Sequence, residues 1–256
     1  QNEHNYEGFE PDLNNISLIS THFYDFDWTQ TWAKKIKQNT DLSKIKEIII
    51  INQDRSADSR KRLEYILPSA TIVEYPRNEE LFLKRGHDHA AVLNKAAQQA
   101  TGDFICIFDS DCHPFSPDWV PDCENLLEDY DAILALDRNR SIKFSEQLSH
   151  PCFMIIKKKH LRIPLAFDEG FSVSKNDTGR LIGRQIERAG DKVFYAELRI
   201  GFDGSHGEIY LDVIYHHRKG SYMGADERLT RQISFRDSFF RNIVIKHNRY
   251  QMNILD

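Results

Sequence analysis

The chain has 256 residues, 40% of them hydrophobic and 29% charged, with a formal net charge of -5. This is a globular composition, long enough for one large domain or two small ones, and it excludes the overall basic field that attracts nucleic acid. No apolar run approaches the roughly 20 residues that cross a bilayer.

Residues 1–15, QNEHNYEGFEPDLNN, are polar and acidic, carry no signal-peptide pattern and read as a tail. ISLIST (16–21) is a short apolar run and predicts a first strand. WTQTWAKKIKQN places Trp28, Trp32 and Ile36 at i, i+4 and i+8, a helical stripe. IKEIIIIN (45–52) is a continuous β-branched run, as in a strand buried on both faces. SADSRKRLEYIL opens on Ser56 as N-cap of a second helix. ATIVEY (70–75) predicts a third strand. HAAVLNKAAQQATG predicts a helix with Leu93, Ala96, Ala97 and Ala100 on one face and Gly102 as its C-terminal stop. DFICIFD (103–109) predicts a fourth strand.

Strands alternating with helices imply right-handed crossovers and a mostly parallel sheet with helices on both faces. Ligands of such sheets bind beyond the carboxyl ends of the strands. The fourth strand ends there in Asp109-Ser110-Asp111. Two like charges so close repel each other unless a cation or a shared proton relieves them. Residues two apart on an extended strand point the same way, so the two carboxylates are expected to converge while Ser110 points elsewhere. Hard oxygen ligands of this kind suit Mg²⁺ or Mn²⁺. The alternative is that the aspartates cap a helix or open a turn.

The four cysteines, Cys106, Cys112, Cys123 and Cys152, lack C-x-x-C spacing. That argues against a structural zinc site and for reduced thiols in a cytosolic protein. No repeat and no linker rich in Pro, Gly or Ser interrupts the chain, so residues 16–256 are expected to form a single domain.

The stretch AAVLNKAAQQATGDFICIFDSDCHPFSPDW resembles the centre of the family-2 glycosyltransferases, which have the GT-A fold. It carries the helix with A-x-L-N-x-A, then T-G-D, an apolar strand and D-x-D. EIIIINQDRSADS is similar to that family's second strand and following turn, with Asn52 where a base-contacting Asp is common. The resemblance implies an α/β GT-A-type, Rossmann-like sheet. Its nucleotide-binding half spans about 16–120 and its smaller acceptor half about 121–225, with a C-terminal helix at about 226–250. It further implies transfer of a sugar from a nucleotide-diphosphate sugar, a UDP-sugar being favoured, to a hydroxyl of a glycan or lipid-linked acceptor. Inversion and a role in bacterial polysaccharide or glycan synthesis are expected with it.

Residue by residue, the resemblance assigns Thr21, Asn52, Asp54, Arg85, His89, Asp109 and Ser110 to the nucleotide sugar. It assigns Asp109 and Asp111 to Mn²⁺ or Mg²⁺. DVIYHHRKGS is similar to the family's late strand ending in a metal-reaching His, which makes His216 and His217 candidates. Neighbours on a strand face opposite ways, so at most one of them is expected at the metal. FDEGFSVSKNDTGRLIGRQIERAG resembles the acceptor-side segment and assigns Asp177 as catalytic base, with Asn176 in place of the usual Glu. Asp177 also reads as the N-cap of the helix that follows.

The C-terminal stretch mixes Ile233, Phe239, Phe240, Ile243 and Val244 with Arg231, Arg236, Arg241, Lys246 and Arg249. Read as a basic amphipathic helix, it either packs back on the domain, which is favoured, or lies on a membrane surface. The expected location is cytoplasmic or peripheral at the inner membrane face. Two other classes stay open. One is a haloacid-dehalogenase-type phosphohydrolase, although three strands precede D-x-D here and His113 stands where those enzymes carry Thr. The other is a non-catalytic sugar- or nucleotide-binding relative.

Overall fold

The computed structural model describes residues 15–23, 26–76, 87–137, 147–160, 178–199 and 208–217, with the backbone of 244–246 and 251–253. In chain order these form β1 (Ile16–His22), α1 (Phe26–Asn39), β2 (Ile45–Asn52), α2 (Ser59–Ile66), β3 (Ala70–Glu74) and α3 (His87–Gln99). Then come β4 (Phe104–Phe108), β5 (Cys112–Pro114), α4 (Trp119–Asp129), β6 (Ala132–Leu136), β7 (Ser149–Lys157) and α5 (Ile182–Arg188). The chain continues with β8 (Val193–Ala196), β9 (Leu198–Arg199), β10 (Glu208–Tyr210), β11 (Ile214–His216), β12 (Val244–Lys246) and β13 (Gln251–Asn253).

Seven strands make the main sheet in the order β3-β2-β1-β4-β7-β6-β8. All neighbours pair in parallel except across β7, which runs antiparallel to both β4 and β6. The chain first steps outward from β1 to β2 and β3, then returns to place β4 on the other side of β1. That reversal opens the crevice in which open α/β sheets bind ligands, and Asp109 follows directly from β4. A second sheet, β5-β11-β10-β9, is antiparallel and is separated from the end of β4 by the three residues 109–111.

The isoleucine run of β2 is buried on both faces because both faces are covered. Ile48 and Ile50 pack with Leu18, Cys106, Trp32, Ile36, Leu63 and Trp119. Ile49 and Ile51 pack on the opposite side with Ile19, Ile105, Ile107 and the α3 residues Leu93, Ala96, Ala97 and Ala100. The predicted α3 face is thus a core face, and its small residues let that helix lie close to the sheet.

Several local expectations differ. Ser56 does not cap α2. The helix starts at Ser59 after Asp58, and Ser56 instead donates to Asp54 through its backbone N–H and its hydroxyl, both at 2.8 Å. Gly102 is not a left-handed helix stop; Gly179 (φ 70°) and Gly190 (φ 91°, just after α5) are the described glycines at positive φ. What Gly102 supplies is room, since a Cβ there would lie 2.5 Å from the Asn15 carbonyl oxygen and 2.7 Å from the Ser17 nitrogen. The run IYLDVIY (209–215) is a hairpin. Leu211 and Asp212 take φ of 54° and 60°, and Val213 N–H donates to the Tyr210 carbonyl at 3.1 Å. Positive φ at both central residues suits a tight antiparallel hairpin.

The helix after Asp177 begins only at Ile182, with Leu181 in the cap position, so Asp177 is not its N-cap. Residues 244–246, expected inside a helix over about 226–250, form β12 and pair antiparallel with β13. The β-branched Val244 and Ile245 favour a strand there. Residues 226–243 lie outside the described residues, and with them most of the basic amphipathic segment. Among the described residues, no helix is long and apolar enough to cross a membrane.

Two consequences can be measured. Gly102→Ala forces β1 and the α3–β4 turn apart and should lower stability by about 1–3 kcal/mol in urea unfolding. His113, fully buried in β5, has its pKa lowered by burial, and next by the Lys35 charge, from 6.5 to about 3. The unfolded chain therefore takes up a proton that the folded chain refuses, and this contribution to stability falls as pH falls from 6.5 to about 3. The stability difference between wild type and His113→Asn should rise with pH across that window and be level above it; a level difference throughout would remove the assignment.

Candidate active site

The D-x-D motif lies in a turn between the two sheets. Asp109 N–H donates to the Cys152 carbonyl at 3.0 Å, which ends the pairing of β4 with β7. Cys112 N–H donates to the Asp109 carbonyl at 2.9 Å and closes the turn. The carboxylates therefore converge by a turn and not by the pleat of an extended strand, which corrects the expectation. Asp111 is almost fully enclosed, its side chain 3% exposed, and Asp109 is 19% exposed. Ser110 is buried between them. Burial raises the Asp109 carboxyl above its ordinary value; His89 opposes this and the Asp111 charge adds to it. Two carboxylates held this way favour a cation beside them.

The second sheet brings a histidine to the pair. β11 runs antiparallel to β5 with His216 opposite Cys112, and His217 N–H donates to the Asp111 carbonyl at 2.9 Å. His216 Nε2 stands 3.7 Å from Asp111 Oδ1. Its Nδ1–H donates to Glu208 Oε2 at 2.8 Å, and that oxygen also accepts from the Tyr210 hydroxyl at 2.9 Å. A carboxylate behind a histidine fixes the tautomer and aims the other nitrogen at a metal. One ligand atom from each of Asp109, Asp111 and His216 fits within 4.8 Å of the others, a donor set of two oxygens and one nitrogen. His217 is turned away. Its ring packs against Trp28 at 4.5 Å between centroids and shares a 3.0 Å hydrogen bond with the Tyr215 hydroxyl.

Behind the carboxylates, β7 contributes His150 and Cys152. The His150 ring lies 5.1 Å from that of His216, and Cys152 N–H donates to His150 Nδ1 at 3.1 Å. Burial opposes charge on Cys152, but the Cys112 thiol, His216 and His150 outweigh it and hold its pKa well below the ordinary thiol value. Burial likewise opposes charge on His150 and His216. Cys152 beside His150 pushes that ring up to about 9. Cys152, Asp111 and Glu208 hold His216 well above its ordinary value.

The expected nucleotide residues that are described stand at the same end of the main sheet. Thr21 is at the end of β1 and largely buried. Asn52 ends β2 at 1% exposure with its amide fully engaged. Its Nδ2 donates to Glu74 Oε2 at 3.0 Å, and its Oδ1 accepts from Asp54 N–H at 3.1 Å and Ser59 Oγ at 3.0 Å. Asn52 thus shapes the 52–59 loop, and Asp54 follows it toward the crevice. Asp54 Oδ2 stands 3.7 Å from His22 Nε2, and the other His22 nitrogen bonds Thr29 Oγ1 at 2.8 Å. His89, on the first turn of α3, places Nε2 3.5 Å from Asp109 Oδ1. Arg85 lies outside the described residues.

Asp177 also lies outside them, but the residues just after it are anchored near the cluster. Ser149, next to His150, donates through Oγ to the Gly179 carbonyl at 2.6 Å and through N–H to the Arg180 carbonyl at 3.1 Å. Buried Arg180 faces buried Asp137 at 3.4 Å.

Sequence reasoning missed His22, Glu208, His150 and Cys152. Glu208 and His216 bracket the hairpin turn, so recognising the Leu211–Asp212 turn would have paired them. His150 and Cys152 carry no comparable signal, because their partners are distant in sequence.

Comparison with known proteins bears on this geometry. The model of the glycosyl transferase family 2 matches residues 29–180. No curated protein matches the sequence. Among solved structures, the mannosyltransferase PcManGT from Pyrobaculum calidifontis, in complex with GDP-Man and Mn²⁺, is similar. It has 16% identity over 72% of this chain and 55% of that one, with a TM-score of 0.50. Glucosyl-3-phosphoglycerate synthase from Mycobacterium tuberculosis, in complex with Mn²⁺, UDP and phosphoglyceric acid, has 17% identity over 72% and 68% of the two chains, with a TM-score of 0.51. The same synthase with Mn²⁺, UDP and glucosyl-3-phosphoglycerate has 15% identity over 87% and 79%, with a TM-score of 0.52. This chain therefore spans just over half of the mannosyltransferase. At these identities the likenesses establish the fold, which is GT-A.

Proposed function

The chain belongs to glycosyl transferase family 2, and from that premise we propose that it moves a sugar from a nucleotide-diphosphate sugar to a hydroxyl acceptor. In this reading a divalent cation sits on Asp109, Asp111 and His216. The observation that carries it is the meeting of those three side chains within 4.8 Å, where the sheet order reverses. The hard carboxylate donors suit Mn²⁺ or Mg²⁺ with substrate phosphates completing the shell. Bound there, the cation would act as Lewis acid toward the departing diphosphate. The GDP-Man and UDP complexes of the similar structures, both with Mn²⁺, support a nucleotide-diphosphate donor. We favour a UDP-sugar.

Asp111 and His216 would hold the cation from the enclosed side, and Asp109, more open, would hold it toward the nucleotide. Glu208 is the positioning residue for His216. Thr21, Asp54, Ser110 and His89 border the nucleotide, with Asn52 shaping the loop that carries Asp54. Arg85 is placed with them by family resemblance, and Asp177 as the base that takes the acceptor proton. Transfer with inversion, a glycan or lipid-linked acceptor and a part in polysaccharide synthesis complete the proposal.

Calorimetry of UDP with Mn²⁺ and with chelator tests the cation. Asp111→Ala and His216→Ala should lose the Mn²⁺-dependent affinity and His217→Ala should keep it, whereas equal UDP affinity with and without Mn²⁺ in wild type would end the metal role. Glu208→Gln should weaken Mn²⁺ roughly 10–100-fold, as loss of a carboxylate behind a ligating histidine does. Asp177→Asn should bind donor normally and transfer about 10²–10⁴-fold more slowly. Normal transfer by that variant would move the base elsewhere, and donor binding without transfer to any hydroxyl acceptor would make the protein a binding module.

A further inference from the structure

His216 belongs to two groups of potential ligands. The first is the pair of carboxylates. The second is His150 and Cys152, and one ligand atom of each of His150, Cys152 and His216 again lies within 4.8 Å of the others. The two groups differ in chemistry. Two carboxylates and an imidazole make a hard set. A thiolate and two imidazoles make the softer set that zinc-class ions take in tetrahedral sites, with a fourth position left for water or another donor. Cys152 and His216 are buried, and His150 is half-buried and gives the set its open side. Cys112 lies behind, contacting the Cys152 thiol.

The backbone makes this second set as firmly built as the first. β7 runs antiparallel to β4, so the carbonyl of Cys152 binds the N–H of Asp109. The Cys152 N–H donates to His150 Nδ1 and keeps the ring beside the thiol, and an ion on this set takes that lone pair in place of the hydrogen bond. Glu208 occupies His216 Nδ1, which leaves only Nε2 for a metal. One nitrogen lone pair ligates one ion, so the two sets cannot both be complete.

We propose that His150, Cys152 and His216 form a thiolate-containing site for a zinc-class ion, and that this ion competes with the hard divalent cation for His216 Nε2. Occupation of the softer set draws His216 away from Asp111 and leaves the carboxylates with two protein ligands. The cation state of the protein then follows the ratio of Zn²⁺ to Mn²⁺. Zinc is favoured over manganese at such a set by the general order of divalent affinities, and the thiolate widens the difference. The competition rests on the hard-ion reading given above; the thiolate site itself does not.

The other potential ligand group among the described residues lacks this character. Asp131, His160 and Asp191 gather at the opposite end of the sheet, and Lys157 Nζ already sits 2.9 Å from Asp131 Oδ1. It is an ion-pair cluster with no sulfur.

Cobalt tests the proposal, because Co²⁺ bound by a thiolate absorbs in the near ultraviolet and Co²⁺ bound by oxygen and nitrogen does not. Titration of the metal-free full chain with Co²⁺ should give that absorption, and Zn²⁺ should abolish it. Cys152→Ser should lack it and Cys123→Ser should keep it. Mn²⁺ binding, read by electron paramagnetic resonance, should be similar in wild type and Cys152→Ser, and Zn²⁺ should displace Mn²⁺ from wild type at a lower concentration than from Cys152→Ser. Should Cys152→Ser fail to fold, His150→Gln serves instead. It removes a direct ligand and should weaken Zn²⁺ by about 10-fold or more, at least the effect of losing an outer partner, with Mn²⁺ little changed. A wild-type protein that binds Mn²⁺ but shows no thiolate absorption with Co²⁺ overturns the proposal, as does absorption that survives Cys152→Ser. Simultaneous binding of Zn²⁺ and Mn²⁺ overturns the competition. Thiolate absorption in a protein that binds no Mn²⁺ supports the thiolate site and removes the hard-ion reading instead.

Discussion

The pairing of β5 with β11 is the constraint on which the rest of the site depends. It sets His216 opposite Cys112, one residue past the D-x-D turn, although more than a hundred residues separate them in the chain. Without it, the two carboxylates would end a buried strand with no imidazole from the second sheet beside them. The hydrogen bond from His217 N–H to the Asp111 carbonyl continues the pairing into the turn itself. Backbone geometry, more than any side-chain attraction, therefore brings imidazole and carboxylates together. The small sheet can be short because it is anchored at several points. Asn39 of α1 donates to the Pro114 carbonyl at 3.1 Å, Phe115 N–H donates to the Val213 carbonyl at 2.9 Å, and His113 packs on Tyr215.

Charge is distributed unequally between the two ends of the main sheet. At the amino end of β6, Asp131 is met by Lys157, His160 and the Lys192 backbone N–H, and Asp191 bonds His160 Nδ1 at 2.8 Å. Those contacts lower the Asp131 carboxyl against the opposing effect of burial, as in an ordinary structural ion pair. At the carboxyl end of β4, Asp109 and Asp111 stand beside histidines, at 3.5 and 3.7 Å. Burial raises Asp109. The same residue type thus stabilises the fold at one end and leaves a demand for positive charge at the other. Buried acids whose pKa is raised by burial and by a neighbouring acid are where ligands and chemistry tend to be found.

The position of β7 links these features. As the one antiparallel strand inside an otherwise parallel sheet, it brings its amino end to the carboxyl ends of its neighbours. Ser149, His150 and Cys152 consequently stand beside Asp109, and Ser149 ties down the segment that follows Asp177. A parallel strand in the same place would have put those residues at the far end.

Much was legible from local pattern. Burial on both faces of β2, the apolar face of α3, the alternation of strands with helices and the position of Asp109 and Asp111 after β4 all follow from side-chain periodicity, which a single sequence carries in full. Errors arose where backbone and side chains compete locally. Ser56 bonds Asp54 in place of the α2 N-terminus, and Gly102 is required by a neighbouring strand and not by its own φ. Each depends on contacts that local propensity does not contain. The choice between His216 and His217 was open in sequence, which could say only that strand neighbours face opposite ways. Deciding which ring meets Asp111, and finding Glu208, His150 and Cys152 around it, required the pairings β5–β11, β10–β11 and β4–β7. The sequence by itself determined the layers of the fold and the end of the sheet where carboxylates gather, because periodicity and turn chemistry are local. Only the tertiary structure decided which imidazole and which thiol share that place, because strand pairing joins residues that no short-range pattern connects.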